Sequence, residues 1–385
     1  MERIKYIGCD DATLQLFESQ YALPEGMCYN SYVVEGGKTA IIDSVDARKT
    51  DEWLGKVQAA LPDRKPDYLV LQHLEPDHSG SVNAFLAVYP ETTVVCTAKA
   101  QTMIGQFGIN PQQVLTVKEN DVLDLGDMHL QFLLAPMVHW PEVMMSYCHE
   151  EQVFFSADAF GKFGVYGADT DDWACEARRY YFNIVGKYGT PVSMVLKKTA
   201  ALAIKAICPL HGYILEGEQL AEALRLYNIW SKYEVETKGV LIAHASIHGN
   251  TAKAAEELAE MLRAKGAGKV VVTDLCRDDM AEAIEDAFRM DKMVVCASSY
   301  DNNVFPPMHQ FLWKLQQKAY QNRTVGIVEN GSWAPSAGRE MKALLETMKN
   351  VTIVEPMVTI RSSLNQESRQ ALAELAGKFS GESAI

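Results

Sequence analysis

Short apolar runs broken by polar, Gly or Pro punctuation dominate the first two-thirds of the chain. The segment GMCYNSYVVEGGKTAIIDS reads as two strands, near 28–34 and 39–42, joined by a Gly36–Gly37 turn, so the chain opens on a hairpin. A helical stretch near 49–61 follows, then DYLVLQ, TTVVCT, MHLQFLLA, EQVFFSA and a run ending AICPL, each apolar enough for a strand. Hairpins mixed with helices predict a two-layered sheet flanked by helices. A helix around 219–233 leads into the charged stretch 232–238, and the pattern then changes to regular strand–helix alternation, with strands at 239–245, 269–273, 292–297, 323–328 and 351–360. That alternation predicts a parallel, doubly wound domain. The boundary is placed near Thr237, giving domains 1–237 and 238–385.

Composition narrows the classes. The 385 residues are 48% hydrophobic, enough for more than one packed core. No run approaches the length of a membrane span, and the opening MERIKYIGCD lacks a signal-peptide core, so a soluble cytoplasmic protein without membrane attachment is expected. The net charge is −14, with most of the acidic excess in the first 240 residues and no clustered Lys or Arg. Such a surface repels phosphate backbones, which excludes nucleic-acid binding. The eight cysteines contain no CxxC pair. That excludes a zinc knuckle, a thioredoxin-like pair and a four-thiolate iron site, and predicts reduced thiols and a one-electron donor on another chain.

The run LQHLEPDHSG packs His73, Glu75, Asp77 and His78 directly after a strand, with Ser79 and Gly80 expected to open a new helix. Nitrogen and oxygen donors without sulfur suit first-row divalent metals. Glu75 and His78 also have the ExxH spacing of helical di-iron bundles, but Pro76 and the preceding strand rule that out. A merely solvated loop would have no matching donors elsewhere. His139 in APMVHWPE, Asp158 in FFSADAFG and His211 in CPLHGY each stand just past a strand, completing four imidazoles and three carboxylates. Seven donors exceed one ordinary shell and fit two metals if one carboxylate bridges. His129, His149, His244 and His309 have no such context and read as structural or surface residues.

In the second domain VLIAHA leads through Ser246, Ile247, His248, Gly249, Asn250 and Thr251 into the helix TAKAAEELAEMLRAKG. Backbone N–H groups and hydroxyls at a helix start cradle phosphate, although Ser and Thr are also ordinary helix caps. Neither GxxxxGK[ST] nor GxGxxG is present, and a phosphate monoester held without a Lys or Arg clamp fits FMN. Two later loops on the same sheet edge share the character. SSYDNNVFPP (298–307) carries Ser298, Ser299, Tyr300, Asn302 and Asn303, and ENGSWAPSAG (329–338) carries Ser332, Trp333 and Ala334. Tyr300 and Trp333 suit covering a planar ring, and which of them stacks is left open.

HLEPDHSG with HWPE, SADAFG and PLHG, then SIHGNT and its two companion loops, resembles the flavodiiron proteins (A-type flavoproteins) over nearly the whole chain. The resemblance implies a metallo-β-lactamase-like αββα sandwich holding a non-haem di-iron centre, then a flavodoxin-like five-stranded parallel sheet holding one FMN. It implies His73, Glu75 and His139 as ligands of the iron nearer the flavin, Asp77, His78 and His211 as ligands of the other, and Asp158 as the bridge. It implies reduction of dioxygen to water or nitric oxide to nitrous oxide. The implied donor is rubredoxin or a similar small carrier, itself reduced by an NADH-dependent reductase, and the implied assembly is a head-to-tail homodimer or homotetramer. The chain resembles the minimal two-domain class, and it departs from the pattern at His248, where the family often has an aromatic residue or threonine.

Two other readings compete with this one. A zinc hydrolase of the metallo-β-lactamase type fused to a flavodoxin domain would read HxHxDH, but Glu75 stands at the second His. A non-catalytic electron-transfer flavoprotein with a relic first domain would be expected to have lost several donors.

Overall fold

Strand alternation and long-range pairing build two six-stranded sheets in the first domain. The structure, a computed structural model, describes residues 2–168 and 172–380. The first sheet runs Ile4–Tyr6, Tyr32–Glu35, Thr39–Ile42, Tyr68–Val70, Thr93–Thr97 and Val114–Val117, with the last four strands parallel. The second runs Val122–Asp124, His129–Leu134, Met144–Cys148, Val153–Phe155, Ala206–Cys208 and Leu215–Glu216. Their inner faces share one core, in which Tyr32, Val34, Ile42, Val70 and Val95 meet Leu130, Phe132, Met144, Phe155 and Cys208. Outside the first sheet the helix Thr50–Ala60 buries Trp53 and Val57, and Trp53 packs on Phe85 of Val82–Val88. The helix Gly217–Trp230 lies outside the second sheet and buries Ala223, Leu226, Tyr227 and Trp230. The result is the expected αββα sandwich.

Two local expectations are corrected. The segment 28–34 is not one strand: Met27–Tyr29 pairs with Cys9–Asp11, whereas Tyr32–Glu35 pairs with Ile4–Tyr6 and Thr39–Ile42. Asn30 breaks it by turning to the loop after Ala206–Cys208. Its backbone N–H donates to Leu210 O at 2.8 Å, and its Nδ2 donates to Pro209 O at 2.9 Å and Gly212 O at 2.6 Å. Ser79 and Gly80 do not open a helix; they close a single turn, Pro76–Ser79, and the next helix starts at Val82. Pro76 presets that turn, and Gly80 ends it where a Cβ would stand 2.6 Å from Pro76 O and 2.8 Å from Ala47 N.

The second domain is a parallel sheet in the order Lys269–Asp274, Thr237–Ala245, Met290–Tyr300, Arg323–Asn330, Val351–Ile360, with helices on both faces. The chain forms two compact units that meet in sequence between Ser231 and Lys232. The residues just past Lys232 belong to the second unit because Arg323 donates to Tyr233 O at 2.9 Å and Glu234 O at 3.1 Å, while Tyr233 packs on Phe288. The stretch 298–307 is not a free loop either. Ser299 pairs with Val304 and Tyr300 with Asn303 around a two-residue turn in which Asp301 and Asn302 have φ of 48° and 57°. No helix among the described residues is long and apolar enough to cross a membrane.

Asn30→Ala would leave Gly212 O without its main donor and Pro209 O with Tyr32 Oη alone. About 2–3 kcal/mol of first-domain stability should be lost, the cost of buried carbonyls short of a partner. Urea unfolding would show this as a lower midpoint; an unchanged midpoint would contradict it.

Candidate metal centre and cofactor cleft

Each of the four elements that end near one another delivers donors just past a strand. His73 follows Tyr68–Val70, His139 follows His129–Leu134, Asp158 follows Val153–Phe155 and His211 follows Ala206–Cys208. The single turn Pro76–Ser79 adds Asp77 and His78, with Glu75 at its start. These seven residues fall into two clusters of atoms lying within 4.8 Å of one another, His73, Glu75, His139 and Asp158 in one, Asp77, His78 and His211 in the other. Asp158 joins them. Its Oδ2 lies 3.3 Å from His73 Nε2 and 3.1 Å from His139 Nε2, and its Oδ1 lies 3.2 Å from His78 Nε2 and 3.6 Å from His211 Nε2. Glu75 Oε2 stands 3.2 Å from His73 Nε2 and 3.0 Å from His139 Nε2, and Asp77 Oδ2 stands 3.3 Å from both His78 Nε2 and His211 Nε2. The two sides are therefore built alike: imidazole nitrogens, a carboxylate of their own, and one oxygen of a shared carboxylate.

Several of these buried atoms have no hydrogen-bond partner among the described residues, namely both oxygens of Asp77, both ring nitrogens of His78, His211 Nε2 and Asp158 Oδ1. Orphaned buried donors and acceptors are costly, and so many in one place mark a site built for cations.

The second-domain residues line a cleft of about 570 Å³ at the carboxyl ends of the strands. Ser246, His248, Asn250, Thr251, Ser298, Ser299, Tyr300, Asn302, Ser332, Trp333 and Ala334 all face it, together with Ile247, Asp301, Asn330, Gly331, Ser336 and Ser362. Gly249 and Asn303 do not line it. Gly249, at φ 89°, caps the helix Asn250–Ala264 and donates its N–H to Ser246 Oγ, and Asn303 belongs to the hairpin. Thr251 Oγ1 and Ser298 Oγ, 2.9 Å apart, tie two walls together. Trp333 is 90% exposed and Tyr300 46%, so two aromatic faces stand open at the rim. No Lys or Arg is among the described residues that line the cleft.

The chain matches two family models, the ODP family beta lactamase over residues 27–212 and the flavodoxin domain over 241–372. It is 28% identical to a nitric oxide reductase of Moorella thermoacetica, covering 98% of this chain and 96% of that one. It is 27% identical to an anaerobic nitric oxide reductase flavorubredoxin of Pectobacterium atrosepticum, covering 86% and 67%. Among solved structures it is similar to the rubredoxin oxygen:oxidoreductase of Desulfovibrio gigas, with a TM-score of 0.92, 26% identity and 99% and 96% coverage. The chain belongs to the flavodiiron proteins. Its first domain is the metallo-β-lactamase-like part of that architecture and its second the flavodoxin-like part.

In this flavodiiron chain the electrostatics draw positive charge into the first-domain cluster. Burial disfavours charge on Glu75, Asp158, His73, His78 and His139, yet the pairings outweigh it. Burial raises Glu75, but hydrogen bonds with His139 and His73 bring it down to about 2. Asp158 is likewise held well below the carboxylate range, burial being overcome by His78 and His73. Burial lowers His139, but Asp158 and Glu75 lift it to about 9, and His73 and His78 are raised by Asp158 and Asp77 in the same way.

Three residues around the cluster escaped the sequence reading. Glu142 accepts from His73 Nδ1 at 2.8 Å and from Leu74 N–H at 3.0 Å. Asp43 Oδ1 accepts from the backbone N–H of Gln72 at 2.8 Å and of His73 at 3.3 Å, fixing the start of the donor loop, and burial pushes its carboxyl up to about 7. Cys28 O accepts from His211 Nδ1 at 2.7 Å while its Sγ accepts from Gly212 N–H at 2.9 Å. The glutamate of HWPE was in view, and only its distance in sequence from His73 hid its role.

A divalent cation must displace protons from the imidazoles of His73, His78 and His139, which are all raised. Zinc added to chelator-stripped protein in weak buffer at pH 7 should release protons, and affinity should fall as pH drops and the imidazoles are protonated more fully. Uptake without proton release, or affinity independent of pH between 6 and 8, would contradict the charge balance described.

Proposed function

We propose that this oxidoreductase passes electrons from FMN, held in the second-domain cleft, to two irons held by the first-domain cluster, reducing dioxygen to water or nitric oxide to nitrous oxide. The observation that carries the reading is the division of Asp158: one buried carboxylate offers its two oxygens to two separate sets of donors. A mononuclear site has no use for that arrangement. The donor set is nitrogen and oxygen only, and Glu75 supplies an anion where a zinc hydrolase of this fold would carry another histidine; anionic oxygen supports iron in its higher oxidation state.

His73, Glu75 and His139 would hold one iron, Asp77, His78 and His211 the other, with Asp158 bridging. Bound there, the metals and the flavin would supply one-electron chemistry and a place for a diatomic molecule that side chains cannot. The chain itself buries that place and orients every donor. Tyr180, fully buried with its ring 5.5 Å from that of His211, keeps its hydroxyl proton, since burial and the nearby Asp158, Asp77 and Glu75 all raise it. That hydroxyl has no hydrogen-bond partner among the described residues and can donate to a small molecule beside the donors.

The cleft fits FMN on the same kind of grounds. Ser246, Asn250 and Thr251 stand at the start of a fifteen-residue helix, where backbone N–H groups and the helix dipole favour a phosphate without a basic clamp. Tyr300 and Trp333 offer ring faces to an isoalloxazine. The names of the Moorella and Desulfovibrio relatives support nitric oxide and dioxygen as the two substrates, and the latter name supports rubredoxin or a similar carrier as donor. With electrons entering through the second domain, a cytoplasmic head-to-tail homodimer or homotetramer would set the flavin of one subunit opposite the irons of another.

Asp158→Ala should bring iron from about two per chain to below one while FMN stays bound. Dithionite-reduced variant mixed with dioxygen should then reoxidise no faster than free FMN. A variant with full iron content and rapid reoxidation would refute the bridging role, and two zincs in wild-type protein made with abundant iron would favour the hydrolase.

A further inference from the structure

We propose that Glu142 is a positioning residue for His73 and makes the His73 side of the centre the tighter and first filled of its two metal positions. The inference rests on the two-metal reading above and adds an order to it.

Glu142 is not a donor of either cluster, yet its side chain is completely buried. A carboxylate is rarely left in such a place without a partner that needs it. Its partner is His73, whose side chain is equally buried and whose Nδ1 lies 2.8 Å from Glu142 Oε1. The same oxygen accepts the Leu74 N–H at 3.0 Å, and Thr97 Oγ1 holds the Glu142 carbonyl at 3.0 Å. Two residues further on Met144 N–H donates to Gln72 O at 3.1 Å, so the backbone that follows Glu142 is pinned to the backbone that precedes His73. With its proton fixed on Nδ1, His73 can present only the Nε2 lone pair, and Nε2 is the atom that faces Glu75 and Asp158. A carboxylate behind an imidazole orients the ring and strengthens it as a donor.

Among the described residues the other cluster has no counterpart. His211 Nδ1 donates to a neutral carbonyl, Cys28 O, at 2.7 Å, and His78 Nδ1 has no hydrogen-bond partner among the described residues. Charge is unequal in the same direction. Around the His73 position stand Glu75, the shared Asp158 and, through the ring, Glu142; around the other stand Asp77 and the shared Asp158. Asp43 lies behind the donor loop and interacts with both His78 and His73, so the two near-symmetric shells differ in one buried carboxylate bonded directly to a ligand ring and in one fully oriented imidazole, and both differences favour a cation on the His73 side.

The experiment is a titration of chelator-stripped, FMN-containing protein with Co2+, followed by visible absorption and by chelator competition. Wild type should fill in two steps. His211→Ala should keep the tighter step and lose the weaker, and His139→Ala the reverse. Glu142→Gln, which keeps an oxygen acceptor and the shape but removes the charge, should weaken the tighter step by about 10–100-fold and leave the weaker one in place. Glu142→Asp, with the charge restored, should recover part of the loss. Two steps in wild type with an unchanged tighter step in Glu142→Gln would overturn the proposal alone, as would loss of the tighter step in His211→Ala, an arm that does not depend on how a Glu142 variant folds. Uptake of a single equivalent by wild type would overturn the two-metal reading and the order with it.

Discussion

Asp158 is buried against four imidazoles, and its two oxygens face different pairs of them. Leaving a carboxylate there costs several kcal/mol unless positive charge meets it, so the surrounding architecture is organised around satisfying it. Four strand ends and one helical turn converge on it, and the loops that carry them are tied down by backbone-directed bonds from Asn30, Asp43 and Tyr32. The rest of the first domain, two sheets packed face to face, serves to hold these ends at fixed separation.

The second domain solves a different problem. Its cleft combines a helix start, small hydroxyl-bearing residues and two exposed rings, with no Lys or Arg among the described residues of its walls, and on the proposed function these alone would hold an anionic, flat ligand. His248 also lines it and stands exposed at the position where this chain departs from the family pattern.

Much of this was legible in the sequence because the chemistry is local. Four donors crowd HLEPDHSG, and each remaining donor follows an apolar run that could only be a strand, so both the residues and their strand-end placement could be read without coordinates. The parallel alternation after 238 was equally open. What was hidden depends on contacts between distant segments. Glu142 lies 69 residues from the imidazole it orients, and Cys28 183 residues from His211. The break at Asn30 comes from bonds to residues 209–212, which a propensity for strand cannot foresee. The tight hairpin at Asp301 and Asn302 was read as a loop because residues that tolerate positive φ look alike in both.

The central claim is that one buried carboxylate joins two metals, and low-temperature Mössbauer and magnetic measurements on iron-loaded protein test it most directly. The account predicts about two irons per chain that are antiferromagnetically coupled through the bridge. One iron per chain, or two irons that behave as magnetically independent ions, would contradict it.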